Sequence, residues 1–386
     1  MTKELRRHKR VFAFLLPFLT LFAKWKFRFT YDNLKNVEGP YLLLPNHNLE
    51  LDPVIVGIAA SRHLYFVASE HLSRKGFVTK LLDYFLKPIY HQKGRAGAHT
   101  VKAILKTLRS GTSVCLFPEG NRSFNGQSLT IPAATGKMAK RSGAKLVTYR
   151  FEGHYLTQPR WATTLRKGRL HGRLVHVYTP EELEAMTDEQ VNEAIARDLW
   201  EDAYETQQKQ MIPFKGKHLA LGMESTIFAC PNCRKIGTLQ TDDHAIFCTC
   251  GFRADYDVYG YLTDQDGQKT TITRLDQVQK VLLADMISKP TQQMLFSDEI
   301  LLQEISDRHE LIRETKGALM AFSDKLIICG QEIPFTDILG MSIYSRNVLV
   351  LHVLSEGTHY EVRGALGFSA LKYLYLYEIV KKELSA

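Results

Sequence analysis

LLLPNHNLELDPVIVG, residues 42–57, decides how the first half of this chain is read. Its apolar start, from Tyr41 to Leu44, has strand length, and a polar turn follows. Asp52 then stands directly before Pro53 and the apolar VIVGIAA. An acidic side chain ahead of a proline is a helix start, with Asp52 as N-cap and Pro53 at the first helical position. His47 therefore lies in the connection between a strand and a helix. The same alternation continues to residue 178. Strands are expected at 41–44, 64–68, 88–91, 113–117, 145–150 and 170–178, and helices near 53–61, 74–86, 96–110 and 133–142. Strand and helix alternating at this spacing predicts a layered α/β domain with a largely parallel sheet. In such sheets functional side chains gather on loops just past the carboxyl ends of the strands.

Three such loops carry chemistry. In the first, a connection of this length lets the Asp52 carboxylate accept from one imidazole nitrogen of His47 and leave the other as a base. A carboxylate so placed fixes the tautomer and favours the imidazolium formed on proton abstraction. The second is VCLFPEGNRSF, residues 114–124. There Gly120 admits a close backbone approach, Asn121 follows it, and Arg122 offers the planar fork that grips phosphate. Glu119 is placed to orient Arg122 or to bind a ligand hydroxyl. The third, KPIYHQKGRAG at 87–97, sets Lys93 and Arg95 among glycines, again suited to phosphate. Each has an ordinary reading beside the functional one: a capping aspartate, a loop histidine, a surface turn with an arginine.

Together these motifs resemble the glycerophospholipid acyltransferases of the 1-acylglycerol-3-phosphate acyltransferase type, over about residues 1–210. Asn46, His47 and Asp52 meet the family's Asn-His-x4-Asp motif, and Phe117 to Ser123 meet Phe-Pro-Glu-Gly-Thr-Arg-Ser, with Asn121 where threonine is usual. Pro88 to Lys93 follow a second motif loosely, Lys93 standing for its arginine. In KLVTYRFEG, Thr148 stands for the proline of the fourth. The resemblance implies acyl transfer from acyl-CoA or acyl-acyl carrier protein to a lysophospholipid, giving phosphatidic acid. In it His47, held by Asp52, is the general base, and Arg122, Lys93 and Arg95 hold the acceptor phosphate beside Glu119, Gly120 and Asn121. Direct attack on an activated thioester needs no enzyme nucleophile, and the chain has no Gly-x-Ser-x-Gly elbow. The alternatives are transfer to another lysolipid or to glycerol 3-phosphate, and a non-catalytic lipid-binding adaptor.

Charge is divided along the chain. Residues 1–222 hold 34 Lys+Arg against 19 Asp+Glu, and residues 223–386 hold 16 against 22. A basic first half calls for an anionic partner. The start, RRHKRVFAFLLPFLTLFAKWKFRF, has an uncharged run of 13 residues, Val11 to Ala23, against roughly 20 for a membrane-spanning helix. No small-x-small cleavage site follows it. Residues 1–30 read as an amphipathic segment lying in the membrane interface, with apolar side chains in the acyl boundary and Trp25, lysines and arginines at anionic headgroups. That places the protein on the cytoplasmic face of a membrane, monotopic or peripheral.

The acyltransferase domain is expected over 31–215, ending in an acidic helical stretch at 181–211. A zinc-ribbon-like unit follows at 222–262. Cys230-x2-Cys233 and Cys248-x-Cys250 stand 14 residues apart. Four thiolates in two close pairs suit a closed, structural zinc site, with His244 as a substitute ligand. The acidic setting of this unit speaks against nucleic acid. Residues 263–386 read as a β-rich domain closed by a helix, similar in pattern to a pleckstrin-homology or GRAM-like module.

Overall fold

The structure is a computed structural model that describes residues 3–69, 84, 86–91, 97–288, 293–306, 310–354, 358–365 and 367–384. The chain forms two compact units, Met1–Pro159 with Leu165–Lys215, and Arg160–Thr164 with Gly216–Ala386.

The first unit opens with helix α1 (Lys3–Phe27), 25 residues with Pro17 inside it. Strand β1 (Thr30–Tyr31), β2 (Tyr41–Pro45), helix α2 (Asp52–Ala60), β3 (Tyr65–Ser69) and β4 (Ile89–His91) follow. Then come α3 (Ala98–Arg109), β5 (Val114–Cys115), α4 (Ala134–Arg141), β6 (Lys145–Glu152), the single turn α5 (His154–Thr157) and β7 (His171–Tyr178). The helix expected near 74–86 falls almost wholly outside the described residues. The acidic stretch is three helices rather than one: α6 (Pro180–Ala185), α7 (Asp188–Leu199) and α8 (Ala203–Gln210). Each starts on its own cap. Thr179 and Thr187 form capping boxes with Glu182 and Gln190, and Asp202 accepts from the amides of Tyr204 and Glu205.

The sheet runs β1-β7-β6-β2-β5-β3-β4. Strands β6, β2, β5, β3 and β4 are parallel, β7 is antiparallel to β6, and β1 is parallel to β7. All five residues of β2 are buried, which explains the unbroken apolar run. Alternate side chains serve opposite faces. Tyr41, Leu43, Cys115, Val147 and Tyr149 pack with α2 and with Ala23 and Phe27 of α1. Leu42, Leu44, Val114 and Leu146 pack with Ile104, Leu108, Met138, Val191 and Ile195 from α3, α4 and α7. Thr148, in place of the expected proline, donates its hydroxyl to Asp198 Oδ2 at 2.9 Å in the interior, a partner no proline supplies.

In α1 one face enters this core while Phe14, Phe18, Leu21 and Trp25 are exposed. These four recur at helical spacing and share a face. Among the described residues no helix is long and apolar enough to cross a membrane.

The second unit holds two antiparallel sheets. One runs β12-β11-β10-β9-β8 (Lys269–Thr270, Leu262–Asp264, Arg253–Tyr256, Ala245–Cys248, Leu239–Thr241), so the cysteine-bearing sheet continues past residue 262. After a helix not foreseen, α9 (Ile272–Ile287), comes a seven-stranded sheet spanning Phe296 to Gly364. Helix α10 (Ala370–Leu384) closes the unit.

Candidate functional site

Three neighbouring strands, β6, β2 and β5, end at the same edge of the sheet, and their following loops form the site. Asn46 fixes the first of these. Its side chain accepts from the Phe151 amide at 2.7 Å and donates to the Phe151 carbonyl at 3.0 Å, extending the β2–β6 pairing by one side chain.

His47 then turns outward, 21% exposed, with its ring against that of Phe117 at a centroid distance of 4.4 Å. Its Nδ1 lies 2.9 Å from Asp52 Oδ2. The pair inferred from the five-residue offset is thus in contact. Asp52, however, is not the N-cap. Leu51 holds that position, and no side chain caps the helix amides. Asp52 is the first helical residue, and its Oδ2 turns back to accept from the amides of Asn48 at 2.8 Å and Leu49 at 2.9 Å. Those two loop amides are the main-chain donors bonded to this oxygen.

The other carboxylate oxygen meets a residue that spacing did not flag. His154 Nδ1 lies 2.6 Å from Asp52 Oδ1, and both side chains are completely buried. Burial alone pushes the Asp52 carboxyl up, but His154, and after it His47, hold it well below the ordinary carboxylate range. His154 begins α5, just past β6, 102 positions from Asp52 in sequence. Only the rule about strand ends pointed there.

The β5 loop braces the same histidine. Glu119 Oε1 accepts from the His47 amide at 2.8 Å and Oε2 from the Leu129 amide at 2.6 Å. Its carboxyl is thus committed to main chain, rather than to Arg122 or an outside ligand. Burial pushes it up to about 8, against the lowering effect of those two amides. Gly120 has φ +67°, and a side chain there would meet open space, so it is the left-handed backbone that calls for glycine. The Ser123 amide donates to the His47 carbonyl at 3.0 Å, which ties the two loops together.

Arg122 is buried, with Nη2 3.1 Å from Glu50 Oε1 and Nη1 3.4 Å from Gln158 Oε1. Neither partner was expected. A second buried acid, Glu201, accepts from Asn48 Nδ2 at 3.1 Å, and burial pushes its carboxyl well up. Lys93 and Arg95 lie outside the described residues, so the structure places neither of them.

In the second unit the Sγ atoms of Cys230, Cys233, Cys248 and Cys250 lie within 4.8 Å of one another, and these four can hold a metal ion. Cys230–Cys250 and Cys233–Cys248 are 3.7 and 3.8 Å apart. A tetrahedron of thiolates about 2.3 Å from zinc has edges of about 3.8 Å. The donor set and its spacing fit that ion. His244 is not in the group.

Residues 26–152 match the family model described as Acyltransferase. The chain is also similar to the crystal structure of the 1-acyl-sn-glycerophosphate (LPA) acyltransferase PlsC from Thermotoga maritima, with 15% identity, 54% of this chain and 84% of that chain covered, and a TM-score of 0.45.

Proposed function

From the premise that residues 26–152 are an acyltransferase-family domain, we propose that the protein moves a fatty acyl group from an acyl thioester to the free hydroxyl of 1-acylglycerol 3-phosphate, giving phosphatidic acid. The observation that carries this reading is the His47–Asp52 contact at a strand end, with the Arg122 loop on the neighbouring strand.

In the reaction, the His47 ring nitrogen not engaged by Asp52 accepts the hydroxyl proton as that oxygen attacks the thioester carbon. The tetrahedral intermediate collapses with loss of the thiolate, which takes the proton from His47. The products are the ester and free coenzyme A or acyl carrier protein thiol. Asp52, kept ionised by its donors, stabilises the imidazolium between these steps. Arg122 takes the acceptor phosphate, displacing Glu50, whose carboxylate is 54% exposed and free to swing into water. Holding the phosphate brings the hydroxyl to the base. Gly120 and Asn121 line the approach.

The exposed row Phe14, Phe18, Leu21 and Trp25 beds α1 in the membrane surface from which the lysolipid is drawn, with its lysines and arginines at anionic headgroups. Cys230, Cys233, Cys248 and Cys250 would hold a zinc ion whose closed thiolate shell would tie the knuckles of the second unit together, a structural role. The cytoplasmic face is the matching location, since four reduced thiols persist there.

An acceptor panel tests the assignment. Purified protein with labelled acyl-CoA or acyl-acyl carrier protein is offered 1-acylglycerol 3-phosphate, glycerol 3-phosphate and an uncharged monoacylglycerol. The first acceptor is expected to give the highest kcat/KM. Absence of transfer to every acceptor makes the protein a lipid-binding adaptor instead.

A further inference from the structure

We propose that His154 is a positioning residue for acyl transfer, locking Asp52 so that His47 keeps one orientation and one tautomer. The inference rests on the reading of His47 as the base and adds a residue two positions beyond the matched family region.

Asp52 has two oxygens with distinct tasks. Oδ2 serves His47 and the two loop amides, while Oδ1 faces His154 at 2.6 Å. Without a donor on Oδ1, the buried carboxylate could rotate about its terminal torsion, a soft, two-fold motion. A rotation carries Oδ2 off His47 Nδ1. The Nδ1–H of His154 removes that freedom.

His154 is itself immobile. Its ring stacks on Phe151, with centroids 4.2 Å apart and planes 17° apart, and the side chain is fully buried. Among the described residues its buried Nε2 has no hydrogen-bond partner. A second proton at Nε2 would therefore be an N–H with no acceptor. This histidine cannot pass a proton onward, and what it offers is one fixed donor. Because Phe151 also holds Asn46 through its backbone, the end of β6 sets both sides of the catalytic loop: Asn46 at its start and Asp52 at its end.

Once the carboxylate turns off Nδ1, the imidazolium loses its charged partner and that imidazole becomes less basic. The groups around the pair are Asp52 and Glu50 on its own loop, Glu119 and Arg122 from the β5 loop, and His154 behind.

The test compares wild type with His154→Phe, which keeps the stacked ring and loses the donor, and His154→Asn, whose side-chain amide restores a donor near the Nδ1 position. His47→Ala is assayed in parallel. Acyl transfer from acyl-CoA to 1-acylglycerol 3-phosphate is followed against pH in detergent micelles. His154→Phe is expected to lower kcat about 10- to 100-fold with KM for both substrates little changed. The acid limb of its kcat/KM profile should move down by about half a pH unit or more. His154→Asn should recover most of the rate and the wild-type limb. Wild-type kcat and limb in His154→Phe, with His47→Ala inactive, would overturn the positioning role alone. Full activity in His47→Ala would remove the base reading on which it stands. If the phenylalanine variant does not fold, His154→Leu replaces it; failure of both to fold, with Asn folding but showing a low rate and a displaced limb, would make His154 a structural prop and overturn the proposal.

Discussion

Arg122 donates from Nη2 to Glu50 Oε1 across 3.1 Å, the guanidinium buried and the carboxylate reaching into solvent. An anionic acceptor competes with Glu50 for that fork. Glu50→Gln is therefore expected to lower KM for phosphate-bearing acceptors about 2- to 5-fold. Arg122→Ala should cut kcat/KM for the same acceptors about 10- to 100-fold and affect an uncharged acceptor less. Steady-state kinetics on the two acceptor types check both. Equal losses in Arg122→Ala for charged and uncharged acceptors would exclude phosphate binding by this arginine.

Glu119 predicts a pH dependence of stability. Its ordinary carboxyl value of 4.5 is raised by burial to about 8 in the folded chain. Between those values the folded state holds the proton that the unfolded state has lost, so stability falls as pH rises through this window. The slope contributed by this group is at most about 1.4 kcal/mol per pH unit. Glu119→Gln cannot titrate there, and its urea-unfolding curve should depend less on pH between 4.5 and 8 than that of wild type. Parallel dependence in the two proteins would contradict the assignment.

Much of this arrangement was legible in the sequence, and the reasons divide cleanly. The buried strands announced themselves because β2, enclosed on both faces, is apolar at every position. The contact between His47 and Asp52 followed from a loop too short to keep them apart. Asp52 reads as a cap in the sequence because a helix start and a carboxylate that holds a histidine use the same residue type, and only the loop amides at 48 and 49 distinguish them. His154, Glu50 and Gln158 were missed because tertiary contacts across β6 and β5, not spacing, bring them to Asp52 and Arg122. Glu119 sits in a recognisable turn, yet nothing in its neighbours revealed that its oxygens face main-chain amides.

The cysteine site predicts bound metal. Protein purified without chelators should carry about one zinc per chain, and Cys248→Ser should lose it with a lowered thermal transition. Elemental analysis and a melt in the presence of a strong chelator read this out. Metal-free protein with an unchanged melt would leave the four thiols without that role.

Helix α1 predicts a membrane contact through one face. The double substitution Phe18→Glu and Leu21→Glu places two anions among exposed apolar side chains, without touching the core face. Cosedimentation with phosphatidylglycerol-containing vesicles should fall about 10-fold or more. Undiminished sedimentation would move the membrane contact elsewhere.

The central claim is that His47 is the base for acyl transfer, and the rate of labelled acyl transfer to 1-acylglycerol 3-phosphate by wild type and His47→Ala measures it most directly. The variant is expected to fold like wild type and to lose about 100- to 10,000-fold in kcat. Transfer at the wild-type rate by His47→Ala would contradict it.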